Sequence, residues 1–261
     1  MDRSRTSHHR TLGSRAGFTL IEVVIVILII GILAATAMRS GTEMYETARV
    51  EQTRQELDAL ALAVVGNPQL ENNGVRADFG YVGDVGGLPP NLDALYSNPG
   101  AYATWRGPYI GNRFTQTPND YKLDAWGTAY AYSGLAIASG GSGAAIERRF
   151  ANTTDELLFN TVHGNVYDYD GTPPGTIYRD SVTIRLTHPD GAGGIRLRTA
   201  APDPGGFFEI DSIPIGNHDL TIVYEPSADT VVRFVSVTPR SRPYAEYRLP
   251  GNVWTGTIPS P

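Results

Sequence analysis

The strongest constraint on this chain is a run of apolar residues near its amino terminus, from Gly17 to Met38. Between Phe18 and Met38 there are 21 residues, and Glu22 is the only charged one among them. As a helix rising about 1.5 Å per residue, this segment would be about 30 Å long, which matches the hydrocarbon core of a bilayer. The run therefore predicts a transmembrane helix over residues 18–38.

Glu22 is the unexpected residue in this run. A carboxylate costs about 2–3 kcal/mol at the centre of a membrane helix, and less near the interface where Glu22 would lie. A simple membrane anchor gains nothing from such a charge. We therefore expect Glu22 to have a function of its own.

Two other interpretations of the segment stay open. One is a secretory signal peptide, since Ala35-Thr36-Ala37 fits an A-x-A cleavage pattern behind a basic leader. The charge of Glu22 and the length of the apolar run disfavour it. The other is an ordinary single-pass anchor in which Glu22 is incidental. A lipoprotein is excluded, because the chain contains no cysteine to acylate.

The residues around the start of the run resemble a known signal. A basic leader over residues 1–17 ends in Gly17 and is followed by FTLIE at residues 18–22. This pattern resembles the class III signal of type IV pilins and type II secretion pseudopilins. The resemblance implies that a prepilin peptidase removes the leader between Gly17 and Phe18, on the cytoplasmic side, and methylates the new amino terminus of Phe18. It also implies a filament of like subunits, built by an inner-membrane assembly platform and its ATPase.

Elementary electrostatics agrees with that resemblance. Cleavage before Phe18 creates an ammonium group four residues ahead of Glu22, on the same face of the helix. In a filament, the carboxylate could instead meet the ammonium of a neighbouring subunit. Two buried opposite charges fix the axial register, since a slipped subunit leaves both of them unpaired. Glu22 is therefore predicted to be an assembly residue.

Charge distribution predicts the orientation in the membrane. The leader carries four arginines against one aspartate, a charge of +3, while the whole chain carries −6, which leaves −9 for the remainder. The positive-inside rule places the leader in the cytoplasm and the body in the periplasm or outside the cell, with the precursor in the inner membrane. An acidic body also argues against nucleic-acid binding, which requires a basic face.

The chain lacks proline after the apolar run until Pro68, and apolar residues recur there at helical spacing. We therefore expect one continuous helix over residues 18–65. Residues 66–160 are predicted to form a small globular head. Within it we expect a strand at 79–82, a helical turn at 91–96, a strand-turn-strand at 122–133 and a last strand at 157–160.

Two motifs in the head carry a second resemblance. The sequence WRGPY at residues 105–109, and DAWG at 124–127 followed by Tyr130 and Tyr132, resemble the head of the major pseudopilin of type II secretion. Ala125 and Ala129 replace two prolines of that family's pattern. The resemblance implies a long helix packed on a small antiparallel sheet, with calcium in the next loop. That loop has no carboxylate between Asp124 and Glu147, so we predict a flexible Gly-Ser loop, little support for calcium, and no cofactor.

Residues 161–250 show a different pattern, in which short β-branched and aromatic runs alternate with turn residues. The pattern predicts an antiparallel β-sandwich. Its seven candidate strands are 162–167, 182–187, 195–199, 206–210, 218–225, 231–238 and 245–249. The sequences GNVYDYDGTP at 164–173 and GGFFEIDSIPIG at 205–216 resemble carboxypeptidase-regulatory-like, or transthyretin-like, domains, which implies a binding or spacing role. Residues 251–261 form a tail, and the predicted fold class of the whole chain is α+β.

No catalytic constellation is recognisable. His163, His188 and His218 are dispersed, without metal-ligand spacing or a close pair. Lys122 is the only lysine, so no Walker sequence exists and the chain cannot itself be the motor ATPase. We expect a non-enzymatic filament subunit, of a pseudopilus or a pilus. The alternative is a membrane-anchored extracytoplasmic binding protein that uses a pilin-like signal only for export.

Overall fold

The computed structural model describes residues 17–111 and 119–254. The predicted leader up to residue 16 and residues 255–261 of the predicted tail lie outside the described residues. The chain divides into two compact units, Met1–Ala48 and Arg49–Pro261. The described residues form one long helix and several antiparallel sheets, which confirms the α+β class expected from the sequence.

Helix α1 (Leu20–Val65) is the first and longest element. It confirms the expected long N-terminal helix, but it begins at Leu20 and not at residue 18, so Phe18 lies outside it. Gly66 ends it. This glycine has a φ of +77°, and its N–H donates to the Leu62 carbonyl at 2.7 Å. A Cβ at Gly66 would lie 2.4 Å from the Asp78 carbonyl oxygen. Glycine therefore fits this position for both its backbone conformation and its lack of a side chain.

The head is built on the last turns of α1. The buried side chains there recur three, four and seven positions apart, so they share one helical face. They are Thr53, Leu57, Leu60, Ala61, Ala63 and Val64. This face packs into a core with buried residues of the short helices that follow, which are α2 (Gly80–Val85) and a 3₁₀-helix (Leu92–Leu95).

The prediction of a strand at residues 79–82 is wrong, because α2 begins there. Asp78 fixes this local structure, since its carboxylate accepts hydrogen bonds from the N–H groups of Gly80 (2.9 Å) and Asn67 (2.8 Å). Such a side chain competes with strand pairing for the backbone donors. The helical turn expected at residues 91–96 is confirmed by the 3₁₀-helix, whose first turn is capped by the Asn91 side chain.

A three-stranded antiparallel sheet completes the head. Its strands are β3 (Ala131–Tyr132), β4 (Ala136–Ser139) and β5 (Ile146–Arg149). Earlier in the chain, β1 (Glu71–Asn72) and β2 (Val75–Arg76), each of two residues, form a separate hairpin. The strand-turn-strand expected at 122–133 is only partly right, because a 3₁₀-helix (Asp120–Lys122) and a single bridge precede β3. The Gly-Ser loop expected after it instead forms the β4–β5 hairpin, since its apolar residues Ala136 and Ile137 are buried.

The prediction of a last strand in the head, at residues 157–160, is also wrong. Helix α3 (Asp155–Leu158) occupies this position, and the Thr154 carbonyl accepts hydrogen bonds from the N–H groups of Leu157 and Leu158. Leu157 is fully buried in the head core. The sequence pattern did not distinguish this short helix from a strand, because the three apolar residues at 157–159 fit both.

Beyond the head, strands occur at all seven places where the sequence predicts them. They are β6 (Asn160–Tyr167), β7 (Val182–Pro189), β8 (Ile195–Ala200), β9 (Phe207–Ile213), β10 (Gly216–Tyr224), β11 (Asp229–Val237) and β12 (Tyr244–Arg248). Helix α4 (Gly175–Tyr178) and a 3₁₀-helix (Arg179–Ser181) lie between β6 and β7. The strands form two sheets, of order β11-β10-β7-β8 and β12-β6-β9, and their inward side chains share one hydrophobic core.

One strand pair departs from the expected antiparallel arrangement. Strand β12 pairs with β6 in parallel, with Tyr244 opposite His163 and Arg248 opposite Tyr167. Parallel pairing requires a crossover rather than a hairpin. The chain makes this crossover after β11, when it passes from the four-stranded sheet to the three-stranded sheet.

The head and the two sheets are joined by a turn that enters the head core. Ile215 lies between β9 and β10, yet its side chain is fully buried among head residues. Its N–H donates to the Leu157 carbonyl at 2.8 Å. A second contact comes from the β7–β8 turn, where the Gly191 N–H donates to the Val85 carbonyl at 2.8 Å. The stability of the head therefore depends on residues of the sheets.

Replacing Ile215 by alanine should lower the free energy of unfolding by about 2–5 kcal/mol, because it leaves a cavity in the head core. Urea unfolding of the detergent-solubilised chain, followed by tryptophan fluorescence and circular dichroism, measures this. Ile195→Ala is the matched control, since Ile195 is 63% exposed on β8 and its truncation should cost about 0.5 kcal/mol or less. Equal losses in the two variants would contradict the role of Ile215.

Candidate functional site

The predicted cleavage bond, between Gly17 and Phe18, lies just outside α1. Residues 17–19 are not helical, and Phe18 is 79% exposed. Within the part of the chain that the structure describes, no atom outside the immediate neighbours lies within 4 Å of a Cβ built at Gly17. A protease must bind its substrate backbone in an accessible, non-helical form, and this segment meets that requirement.

Thr19 determines where the helix begins. The Glu22 N–H donates to the Thr19 side-chain oxygen at 3.3 Å and to the Thr19 carbonyl at 3.1 Å. The Val23 N–H donates to the same carbonyl at 3.2 Å. Thr19 is therefore the N-cap of α1, and it keeps the preceding bond outside the helix.

The sequence analysis did not predict this N-cap, although the sequence contains a capping motif. Thr19-Leu20-Ile21-Glu22 has the T-x-x-E form of a capping box ahead of an apolar run. The bond from the Glu22 N–H to the Thr19 oxygen is one half of that motif. Glu22 takes part in this cap through its backbone N–H, besides the assembly role predicted for its carboxylate.

Glu22 lies in the first turn of α1 and is exposed. Among the described residues, no hydrogen bond or ion pair engages its carboxylate. The partial positive charge of the helix amino terminus favours an acidic side chain there, by about 0.3–1 kcal/mol at an exposed position. The carboxylate therefore remains available to a partner outside this unit.

The surface around Glu22 is apolar on every side. The large apolar residues between 18 and 38 are between 46% and 83% exposed. They are Phe18, Leu20, Ile21, Val23, Val24, Ile25, Val26, Ile27, Leu28, Ile29, Ile30, Ile32, Leu33 and Met38. By length and composition α1 can cross a membrane. Apolar surface on this scale requires a lipid or protein covering.

The WRGPY motif has a structural role in the head. The Trp105 indole N–H donates to the Ala94 carbonyl at 2.9 Å, and the Tyr109 hydroxyl donates to the Asp84 carboxylate at 2.9 Å. The rings of Trp105 and Tyr109 meet edge to face, with centroids 5.7 Å apart. The motif therefore fastens the loop that follows the 3₁₀-helix to the core.

Asp124 of the DAWG motif is a buried hydrogen-bond acceptor. One oxygen accepts from the N–H groups of Trp126 (3.0 Å) and Thr128 (2.8 Å), and the other from the Ser139 hydroxyl (2.5 Å) and the Gly141 N–H (3.1 Å). Burial alone would raise the pKa of Asp124, but these hydrogen bonds to the carboxylate outweigh it and the pKa is lowered. The carboxylate therefore connects the turn at residues 124–128 to the β4–β5 hairpin through hydrogen bonds.

This geometry bears on the calcium implied by the pseudopilin resemblance. The protein's own donors already occupy both oxygens of Asp124, the carboxylate nearest to the loop. Over residues 17–111 and 119–254, no three His, Asp or Glu side chains cluster closely enough to hold a metal ion. That no cofactor binds stays a prediction.

The structure brings together two histidines that the sequence did not relate. The rings of His188 and His218, which are 30 positions apart in the sequence, lie 6.3 Å apart between centroids. His163 belongs to the other sheet and packs against Phe207 and Tyr244. The pairing depends on strand register, which no local pattern in the sequence encodes.

Comparison with known families identifies the amino-terminal segment. The prokaryotic N-terminal methylation motif matches residues 12–38, which include Gly17, Phe18 and Glu22. This match confirms a type IV pilin-like prepilin signal, and with the apolar helix it fits a membrane-anchored precursor. No curated protein matches the chain.

Several solved structures share partial similarity. A suggested carbohydrate-binding protein from Bacteroides uniformis is 14% identical over 34% of this chain and 40% of its own, with a TM-score of 0.24. A second one, from Pseudomonas aeruginosa, is 13% identical over 37% of this chain and 92% of its own, with a TM-score of 0.24. The protein S.CueP is 11% identical over 46% of this chain and 75% of its own, with a TM-score of 0.27. All three scores are too low to support a conclusion about fold or ligand.

Asp124→Asn should destabilise the chain by about 2–3 kcal/mol at pH 7, because hydrogen bonds to a charged acceptor are lost. The lowered pKa of Asp124 means that the carboxylate stabilises the fold above its unfolded-state pKa and loses this effect as the pH falls through its folded-state pKa. The difference between wild type and variant should therefore shrink from pH 7 to pH 3 in urea unfolding. Asp155→Asn, at an exposed position, is the control; a difference independent of pH would contradict this role.

Proposed function

We propose that this chain is a structural subunit of a type II secretion pseudopilus or a type IV pilus-like filament. The observation that carries the proposal is the prepilin signal at residues 12–38, combined with an apolar helix surface that is exposed throughout. Before processing, the chain lies in the inner membrane with its leader in the cytoplasm. Prepilin peptidase then cuts between Gly17 and Phe18 and methylates Phe18.

Cleavage changes the charge at this end of the helix. It creates an ammonium on Phe18, four residues before Glu22, whose carboxylate has no partner among the described residues. When subunits pack, the Glu22 carboxylate of one meets the ammonium of the next. A buried ion pair adds little to the stability of an assembly. A subunit out of register, however, leaves buried charges unpaired, which destabilises the assembly by about 3–5 kcal/mol. The pair therefore selects one axial position.

The apolar surface of α1 supplies the attraction. Lipid covers it in the precursor, and neighbouring helices cover it in the filament. Keeping it from water stabilises the assembly by about 25 cal/mol per Å² of apolar surface. The assembly platform and its ATPase, which this chain does not itself contain, move each subunit from one environment to the other.

The second unit forms the outer surface of the filament, in the periplasm or outside the cell. The face of α1 that buries Leu57, Leu60 and Val64 in the head supports a pilin-like packing of helix and small sheet. The two sheets that follow share a core, which supports a carboxypeptidase-regulatory-like sandwich. This part contacts cargo, a secretin or another surface, and it has no enzymatic role.

The alternative is a membrane-anchored binding protein whose pilin-like signal serves only export. Both functions require the apolar helix and cleavage after Gly17. They differ in whether the processed chain polymerises, so recovery of the processed protein in sheared or cross-linked polymers distinguishes them.

Two substitutions separate the charge of Glu22 from its capping role. Glu22→Gln removes the charge but keeps a side chain that suits a capping box, whereas Thr19→Ala removes the cap and keeps the charge. Glu22→Gln should be inserted and cleaved normally but reduce sheared polymer more than about a hundredfold, because the ammonium of the neighbour is left unpaired. The measurement is the immunoblotted ratio of polymer to total processed protein.

Thr19→Ala is the matched control, and it should assemble nearly as the wild type does, since a lost cap costs only about 1 kcal/mol. Wild-type polymer from Glu22→Gln would refute the pairing of charges. An equal loss in both variants would assign Glu22 to helix capping instead. Cleaved wild-type protein that never enters polymer would favour the export-only alternative.

A further inference from the structure

Strand β8 is an edge strand, because among the described strands only β7 pairs with it. In an antiparallel pair, every second residue directs its N–H and C=O away from the partner strand. In the part of the chain that the structure describes, no backbone group other than those of β7 bonds to residues 195–200. The free edge of β8 therefore has the backbone donors and acceptors that an additional strand requires.

The side chains of β8 differ between the two faces of the sheet. Arg198 is opposite Leu186 of β7, which is fully buried, so it lies on the face that is directed towards the core. Arg196 shares that face, because side chains alternate along a strand. Ile195 and Leu197 lie on the opposite, outer face and are 63% and 54% exposed. The edge thus presents a basic side and an apolar side.

The two arginines have no anionic partner in the chain. Among the described residues, no hydrogen bond or ion pair engages the guanidinium group of Arg196 or Arg198. The Nε of Arg198 is also buried, so its N–H is a buried donor without an acceptor. Such a donor is costly and calls for an explanation. A carboxylate is the acceptor that a guanidinium group matches best.

The acid in the turn before β8 does not supply this acceptor. Oδ1 of Asp190 accepts hydrogen bonds from the N–H groups of Ala192 (2.8 Å) and Gly194 (2.9 Å). These two bonds lower the pKa of Asp190, and the positive charge of Arg196 lowers it further. The carboxylate is therefore used within its own turn, and it leaves the guanidinium groups of β8 without a hydrogen-bond acceptor.

The same positive charges disfavour a second copy of β8 as the occupant. Two β8 strands paired with each other would place arginines opposite or diagonal to arginines, and like charges there destabilise the pair. Charged residues on an edge strand commonly protect it from such pairing. They do not oppose a strand that carries acidic residues at the same positions. The charges of β8 therefore distinguish between possible partners.

We propose that the free edge of β8 binds an extended segment of a partner protein in which acidic and apolar residues alternate. The backbone of this segment extends the four-stranded sheet. Its carboxylates pair with Arg196 and Arg198, and its apolar side chains cover Ile195 and Leu197. The proposal rests on the proposed function for the exposure of this unit outside the membrane, and it specifies the chemistry of the partner.

Fluorescence anisotropy of a labelled peptide, added at low salt to the detergent-solubilised full chain, tests the proposal. The peptide has the length of β8 and alternates glutamate with valine, and we expect the wild type to bind it. Arg196→Glu and Arg198→Glu should each weaken binding by more than about tenfold, because a carboxylate then meets a carboxylate. A peptide of the same composition with its glutamates grouped together should bind poorly. So should a peptide methylated on the backbone nitrogens that face β8, since it lacks the donors.

Arg233→Glu is the matched control, because Arg233 is an exposed arginine on β11, the other edge strand of the same sheet. This variant should bind the peptide as the wild type does. The basic leader is present in every variant, so its attraction for the peptide does not distinguish them. The double variant Arg196→Glu with Arg198→Glu should instead bind a peptide that alternates lysine with valine. Circular dichroism must show that each variant is folded, and Arg196 is exposed, so its variant keeps the test valid.

Three results would overturn the proposal. They are no binding of the glutamate–valine peptide, equal binding of its methylated form, and equal losses in Arg196→Glu and Arg233→Glu. A dimer of the wild-type chain that Arg196→Glu separates, without peptide binding, would assign the edge to a second copy and would also overturn it. The assay requires no polymer, so its failure and the failure of the filament role are distinguishable.

Discussion

The exposed apolar surface of α1 is the constraint on which the rest depends. Between Phe18 and Met38 no side chain is buried by the protein's own unit, and the single carboxylate lies one turn inside the amino-terminal end. Water is an unfavourable environment for this surface, and lipid is unfavourable for the charge. A packed assembly of like helices satisfies both at once, provided that each carboxylate finds a cation.

The local structure at the start of α1 places the predicted cleavage bond and the carboxylate of Glu22 near each other. Because Thr19 caps the helix, Gly17 and Phe18 remain outside it and accessible, while Glu22 is held in the first turn. One hydrogen-bonded turn thus keeps the predicted cleavage bond outside the helix and the carboxylate of Glu22 inside it, only four residues away. In the second unit, Ile215 and the turn before β8 connect the sheets to the head, through core packing and a hydrogen bond.

The sequence was sufficient for features that depend on neighbouring residues. Apolar spacing without proline gave the long helix, and alternating β-branched residues gave the places of the seven strands. Features that depend on contacts between distant segments were missed or mistaken. The parallel pairing of β12 follows from a crossover between sheets, and the closeness of His188 and His218 follows from strand register. Short apolar runs such as the one around Leu157 fit both helix and strand, and only tertiary packing decides between them.

Mass spectrometry of the amino terminus of the protein from its native host is the most direct test of the central claim. We predict a mature chain that begins at Phe18 and carries one added methyl group on its amino nitrogen. An intact Met1, or a terminus close to Ala37, would contradict it, because Glu22 would then have no new ammonium one turn away.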